Sequence, residues 1–233
     1  DCFVADTKSG AIIFDGGSSS EDQVGRYRIL PYMKYLGYQK IQIAVISHMD
    51  IDHYSGIKEL LEMGKIKYLG LPEIPKDETM KKIIGIAKKR GTTIFYLSRG
   101  RQITTKDGSL KVLHPQKNSQ MEKNVASLVM QGKILGYRVL LTGDVEKEGE
   151  EELLSEELER ADILKAAHHG SKNSTSNEFL QKVQPKQTVI SCGKQNRYGH
   201  PHLETIHRLQ TYRTKIYRTD RSGAIIFFKR RDG

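Results

Sequence analysis

Between Ile46 and Gly56 the chain reads Ser47-His48-Met49-Asp50-Ile51-Asp52-His53-Tyr54-Ser55, which places two imidazoles and two carboxylates within six residues. Packed together, such groups are costly unless their charge is compensated, and a divalent cation compensates it. Two more polar groups stand at the ends of apolar runs. Asp144 closes Leu141-Thr142-Gly143-Asp144, and His168-His169-Gly170-Ser171 follows Ile163 to Ala167. His48, Asp50, Asp52, His53, Asp144, His168 and His169 are therefore the candidate metal ligands. They are enough for two ions, and the absence of a nearby cysteine leaves an imidazole–carboxylate set suited to Zn, Mn or Fe. Two such ions can acidify a water and clamp both oxygens of an in-line displacement at phosphorus.

These residues need elements to converge them. The run Ile41 to Ile46 reads as a buried strand feeding the first cluster, and a helix is expected from about Ser55 to Met63. Val139 to Leu141 and Ile163 to Ala167 are expected strands that deliver Asp144 and the His168-His169 pair. Strands are also expected at 3–5, 11–14, 66–69, 92–97, 102–104, 110–113, 126–130, 188–191, 216–218 and 224–228, with helices at 24–36, 78–89, 147–158, 177–183 and 203–212. Pro115 to Lys123 reads as a polar loop. Alternating strands and helices flanked by hairpin-like pairs predict α/β (α+β) architecture, with mixed sheets and helices outside. Asp15, in Asp15-Gly16-Gly17, reads either as a buried carboxylate near the metal loop or as turn chemistry. Ser-Gly-Ala-Ile-Ile-Phe occurs at residues 9–14 and 222–227, compatible with two related halves or with chance likeness of two buried strands.

Length and composition bound the answer. The 233 residues, 37% of them hydrophobic, suit one domain spanning 1–233. No apolar run reaches the length of a membrane span. Cys2 and Cys192 cannot build a disulfide framework or a thiolate cage and read as small packing residues. His114 and His207, outside every motif, read as surface or packing residues. The net charge is +10, unevenly placed: Lys186 to Gly233 holds eleven basic residues against three acidic ones, whereas Asp144 to Asp162 holds ten acidic against two basic. The basic quarter fits a polyanionic partner or a plainly solvated surface. Tyr198, Tyr212 and Tyr217 lie among those cations, where they can stack bases.

His48-x-Asp50-x-Asp52-His53 resembles the metal-loop signature of the metallo-β-lactamase superfamily, with Asp50 in place of the usual second histidine. Leu141-Thr142-Gly143-Asp144 resembles its later motif. Asp1, Phe14-Asp15-Gly16-Gly17, Asn124-x-x-Ser127, Leu164-Lys165-x-x-His168-His169-Gly170-Ser171 and Asn196-x-Tyr198-Gly199-His200-Pro201 complete a set that resembles the C-terminal domain of ComEC-type competence proteins, membrane channels for DNA uptake. The resemblance implies a four-layer αββα metallo-β-lactamase sandwich, cut from a longer membrane protein whose transmembrane channel is its partner. It implies a soluble domain of a cytoplasmic-membrane protein on the extracellular side, without a small organic cofactor. It implies His48 and Asp50 on one ion, Asp52 and His53 on a second, and Asp144 bridging. One of His168 and His169 completes the shell, and the other faces phosphate or a supporting partner. Asp50 makes the site harder and more anionic, so Mn²⁺ is favoured and Zn²⁺ is the alternative.

The expected activity is that of a metal-dependent nuclease on DNA, degrading the non-imported single strand in natural transformation. Asp52, Asp144 and His200 are its catalytic candidates. His200 is expected to contact phosphate or give a proton to the leaving oxygen, with Asn124, Ser127, Arg197, Tyr198 and His202 at the substrate. A hydrolase of a small phosphodiester or another small molecule is the alternative, since the fold does not set the substrate. A non-catalytic DNA-guiding module is a third reading, opposed by the complete ligand set.

Overall fold

In the computed structural model, which describes residues 1–121, 124–194 and 196–228, period-two alternation of apolar residues builds two sheets with a shared core. The chain opens with β1 (Cys2–Thr7) and β2 (Gly10–Gly16). A helix whose first turn, Gly25–Ile29, is π-helical continues as α1 (Leu30–Tyr35). Then follow β3 (Ile41–Val45), α2 (Ile51–Glu62), β4 (Ile66–Pro72), α3 (Glu78–Lys89) and β5 (Thr93–Leu97). The second half runs β6 (Gln102–Thr105), β7 (Gly108–His114), β8 (Val129–Ile134), β9 (Tyr137–Leu141), α4 (Lys147–Leu154), β10 (Ile163–Lys165), α5 (Asn177–Val183), β11 (Gln187–Ile190), α6 (Leu203–Thr211), β12 (Lys215–Arg218) and α7 (Thr219–Ser222).

The first sheet has the order β1-β2-β3-β4-β5, the second β12-β11-β10-β9-β8-β7-β6. In each, one part is parallel and the other antiparallel: β2 to β5 and β9 to β12 are parallel, while β1 and β6 to β8 pair antiparallel. Alternate side chains go to opposite faces. Ile12, Phe14, Val45, Leu110, Val112, Met130 and Leu141 meet between the sheets. Their neighbours Ala11, Ile13 and Ala44 pack under α2 and α3. Leu113, Val129, Leu140 and Leu164 pack under α4, α5 and α6. The result is the expected four-layer αββα sandwich with mixed sheets.

Several boundaries differ from the sequence reading. α2 begins at Ile51, not Ser55, with Asp50 as its extended N-cap. Asp52 and His53 are thus in the first helical turn, where polar ligand residues mask the apolar period and Asp52 suits the positive end of the helix dipole. The acidic helix stops at Leu154. β8 starts at Val129, so Ala126 and Ser127 lie in the approach to it. Residues 224–228 form no strand. From its glycine on, the first copy of Ser-Gly-Ala-Ile-Ile-Phe is in β2, while the second starts at the last residue of α7 and leaves it, with Ile226 exposed. Cys192 packs against the second helical core, but Cys2 is exposed and both are free thiols. His114 is fully buried and donates from Nδ1 to Ser127 O (3.0 Å), and His207 is exposed. Of the Pro115–Lys123 loop, Glu122 and Lys123 lie outside the described residues.

Candidate metal centre

The C-terminal ends of parallel strands share one rim. β2 brings Asp15, β3 brings Ser47 and His48, β9 brings Asp144, β10 brings His168 and His169, and β11 brings Ser191. β1 runs antiparallel to β2, so its start, Asp1, returns to the same rim. Asp1 is tied there by Gly17 N, which donates to Asp1 O (2.9 Å).

All four imidazoles of the rim donate from Nδ1. His53 donates to Asp15 Oδ2 (2.9 Å), His168 to Glu146 Oε1 (2.7 Å) and His169 to Ser191 O (2.9 Å). Ser47 Oγ gives its proton to Asp15 Oδ2 (2.8 Å) and so accepts from His48 Nδ1 (3.1 Å). With Nδ1 occupied, each neutral ring presents its Nε2 lone pair to the rim, the second-layer arrangement by which proteins orient metal-binding histidines. His48 Nε2 and His53 Nε2 are buried and lack a hydrogen-bond partner, an expense that an ion removes.

The Nε2 side holds a closed group. His169 Nε2 lies 3.0 Å from Asp52 Oδ2 and 3.1 Å from Asp144 Oδ2. His53 Nε2 lies 3.2 Å from Asp144 Oδ2 and 3.8 Å from Asp52 Oδ2. Ligand atoms about 2.1 Å from an ion in tetrahedral array stand about 3.4 Å apart, which these four separations approach. Asp1, His53, Asp144 and His169 also offer donor atoms within 4.8 Å of one another. Asp1, however, faces the Nδ1 atoms, at 3.3 Å from His169 Nδ1 and 3.9 Å from His53 Nδ1, so it stands behind the rings. His48 Nε2 lies 3.7 Å from Asp50 Oδ2, and the His48 and His53 rings are 4.1 Å apart. This second, more open group adjoins the first. His168 Nε2 is 4.0 Å from Asp144 Oδ2, farther than His53 and His169. The pair thus divides: His169 sits inside the closed group, His168 at its margin.

Charge follows the geometry. Burial works against ionising Asp52 and Asp144, but His53 and His169 hold both carboxyls well below their usual range. Burial works against a proton on His169, yet Asp144 and Asp52 push it up to about 9, and Asp144 and Asp15 likewise raise His53. Burial lowers His48. Without ions, protons compete for the same Nε2 atoms.

The backbone is strained where it delivers these groups. His168 (φ 46°) and His169 (φ 53°) are consecutive left-handed residues, and Asp15 (φ 57°) is a third. Gly143 is left-handed at φ 51°, and a Cβ there would meet Ser127 Cβ at 3.0 Å and Ser47 Oγ at 3.1 Å.

The remaining candidates lie at varied depth. Ser127 is fully buried and its Oγ accepts from Asp144 N (3.2 Å), so it holds the Asp144 backbone and has no surface for substrate. Asn124 is half-buried, its carbonyl accepting from Ser127 N (3.1 Å). His200 stands over the rim, its ring 5.3 Å from His168, 6.0 Å from His169 and 5.8 Å from Tyr198. Burial and the neighbouring His168 and His169 push its pKa down to about 4, which leaves it a neutral donor at physiological pH. Asn196 clamps the His200 backbone from both sides. Arg197 stacks on Tyr198, which is 57% exposed. His202 Nδ1 accepts from Lys172 N (3.1 Å) at the start of α6.

Ser47, Glu146 and Lys165 were not singled out for a role by the sequence reading. Lys165 does leave a signal, a cation inside an apolar strand. Part of the basic quarter is consumed internally. Arg208 donates to Thr175 O, Lys172 O and Ser174 O, Arg218 pairs with Asp220, and Lys186 pairs with Asp162. Tyr212 donates to Asn177 O, and Tyr217 packs on Phe227.

A two-sheet αββα sandwich with a histidine–carboxylate rim defines a class, and the chain belongs to the metallo-beta-lactamase superfamily, whose family model matches residues 1–194. Within it, the chain is similar to ComE operon protein 3 of Bacillus subtilis (strain 168), at 38% identity over 216 residues, covering 90% of this chain and 27% of that protein. It is also similar to competence protein ComA of Neisseria gonorrhoeae, at 30% identity over 237 residues, covering 97% and 30%. The chain thus spans between a quarter and a third of the length of these relatives. Among solved structures, the metallo-beta-lactamase fold protein YhfI of Bacillus subtilis superposes with a TM-score of 0.62 at 15% identity, covering 94% of this chain and 88% of that one. CmlA of Streptomyces venezuelae, a diiron beta-hydroxylase, superposes at 0.59 with 11% identity, covering 93% and 51%. These two likenesses concern the fold alone. Among the described residues no helix is long and apolar enough to cross a membrane.

Proposed function

We propose that this chain is a divalent-metal-dependent phosphodiesterase acting on DNA, with single strands as its substrate. The observation that carries the reading is that His48, His53, His168 and His169 each commit Nδ1 to a supporting acceptor, while His53 and His169 set Nε2 against Asp52 and Asp144 and His48 sets it against Asp50. Asp52, His53, Asp144 and His169 hold one ion. His48, Asp50 and Asp144 hold the other, and three carboxylates in the set favour Mn²⁺ over Zn²⁺. Such ions supply Lewis-acid stabilisation of a phosphoryl group and acidify water.

The chain's own residues do the rest. His200 offers a neutral N–H to a phosphate oxygen or to the leaving oxygen, and Asn196 holds it there. Arg197 and exposed Tyr198 give a cation and a stacking face for an unpaired strand next to the rim. The likeness to a competence protein fits natural transformation as the setting. The test is an assay on end-labelled single- and double-stranded DNA with Mn²⁺, Zn²⁺ or Mg²⁺, comparing the protein with Asp144→Ala. Loss of cleavage in the variant supports the reading. Intact DNA with both proteins under every metal overturns it.

A further inference from the structure

Behind the rim lies a group that the proposed chemistry does not use. Lys165 is fully buried, although long charged side chains almost never are. Its Nζ lies 2.7 Å from Asp1 Oδ2, 2.7 Å from Gly143 O and 3.3 Å from Asp144 Oδ1. Asp144 therefore has two dissimilar oxygens. Oδ1 is committed to Lys165, while Oδ2 alone faces His53 Nε2 and His169 Nε2. Asp1 is equally divided from the rim: one oxygen pairs with Lys165, the other stands 3.3 Å from His169 Nδ1.

We propose that Lys165 is a positioning residue that decides which carboxylate oxygens can act as ligands. It restricts Asp144 to a single oxygen, Oδ2, and it withholds Asp1 from the ligand set. Asp1, an additional carboxylate close enough to join a metal cluster, is thereby kept as a support behind His53 and His169. Without the lysine, Asp144 is free to use both oxygens and Asp1 is free to turn inward. The site then becomes richer in oxygen donors and shifts toward the harder ion.

This inference rests on the reading that the rim binds divalent ions, and its test does not involve DNA. Mn²⁺ and Zn²⁺ affinities and stoichiometries are measured by competition with a chelating dye and by metal analysis after dialysis. The proteins are wild type, Lys165→Met, Asp1→Asn and the double variant, with circular dichroism to establish folding. The ratio of the two affinities is the readout. Both ions carry the same charge, so loss of a nearby cation by itself cancels from the ratio, whereas a change of ligands does not. Lys165→Met is expected to shift the ratio toward Mn²⁺ by about tenfold, within the range of effects of residues behind a metal site. Asp1→Asn alone is expected to leave stoichiometry and ratio at wild-type values. The double variant is expected to fall between, because only the freed Asp144 oxygen then acts.

A folded Lys165→Met protein with an unchanged ratio overturns the proposal. If that variant does not fold, Asp1→Asn still decides: loss of one bound ion, or a shifted ratio of the two affinities, makes Asp1 a ligand and overturns it, while wild-type stoichiometry and ratio support it. A wild-type protein that binds neither ion overturns the metal centre itself, and that result is separate from any failure to cleave DNA.

Discussion

Asp15 Oδ2 receives the Nδ1 proton of His53 at 2.9 Å, on the side of the ring away from Asp144. The same carboxylate accepts from Ser47 N (2.7 Å) and Ser47 Oγ (2.8 Å). One buried residue at the end of β2 thus sets the orientation of His53 directly and of His48 through Ser47. Asp15→Asn keeps the shape but weakens these acceptors. The expected outcome is a folded protein whose metal affinity, measured by calorimetry, falls about 10- to 100-fold.

His168 and His169 are neighbours in sequence but not in role. His169 Nε2 lies within 3.1 Å of both Asp52 and Asp144, whereas His168 pairs with Glu146 and its Nε2 stands 4.0 Å from Asp144. His169→Ala is expected to lose one bound ion per chain by metal analysis. His168→Ala and Glu146→Gln are expected to retain the stoichiometry and to lower turnover on DNA, a separation that the two measurements together read.

Metal affinity is expected to depend on pH with a definite sign. Asp144 and Asp52 push His169 up to about 9, and His53 is raised as well. In the ion-free protein at pH 7 the His169 ring holds a proton that an incoming cation must displace, and the raised His53 adds to the competition. Affinity therefore rises with pH toward about 9 and falls below it. Calorimetry in buffers of different ionisation enthalpy is expected to show proton release on binding at pH 7, and less release above pH 9.

Gly143 permits the turn that aims Asp144. Alanine there is expected to be strained at φ 51° and to press on Ser127 and Ser47. Gly143→Ala is expected to lower stability by about 1–3 kcal/mol in urea unfolding and to weaken metal binding, because the displaced side chains hold Asp144 N and His48.

Away from the rim, Asp162 accepts from Arg138 N, Nε and Nη2 and pairs with Lys186. The Arg138 guanidinium is the main reason its carboxyl sits below the usual range. A depressed carboxylate contributes stability above its unfolded pKa and loses it as pH falls through the folded value. Asp162→Ala is expected to cost about 1 kcal/mol at pH 7, a figure reduced for solvent screening, and much less at pH 2, by urea unfolding at both pH values.

Much of this was legible in the chain. The unbroken apolar run Ala11 to Phe14 reveals a strand buried on both faces, and imidazoles and carboxylates at strand ends reveal a rim of candidate ligands, because residue type and period report which groups must leave water. The exact bounds of α3 and α5 were readable from caps and apolar spacing. The start of α2 was not, since Asp52 and His53 satisfy the site and hide the helical period. The hexapeptide shows the limit most plainly: the same six residues are a paired strand at 9–14 and an unpaired segment at 222–227, because a strand needs a neighbour that only the fold supplies.

What the sequence by itself determined is the set of candidate ligands and the elements that carry them. What only the tertiary structure decided is the direction each group faces. Asp1 and Lys165 are 164 positions apart, and no local spacing reports that they meet behind the rings. Nor does it report that His169 Nε2 meets Asp52 and Asp144 while His168 stands at the margin, since both are set by two consecutive left-handed residues. Those contacts arise when the antiparallel start of β1 and the parallel end of β10 reach the same edge of two packed sheets.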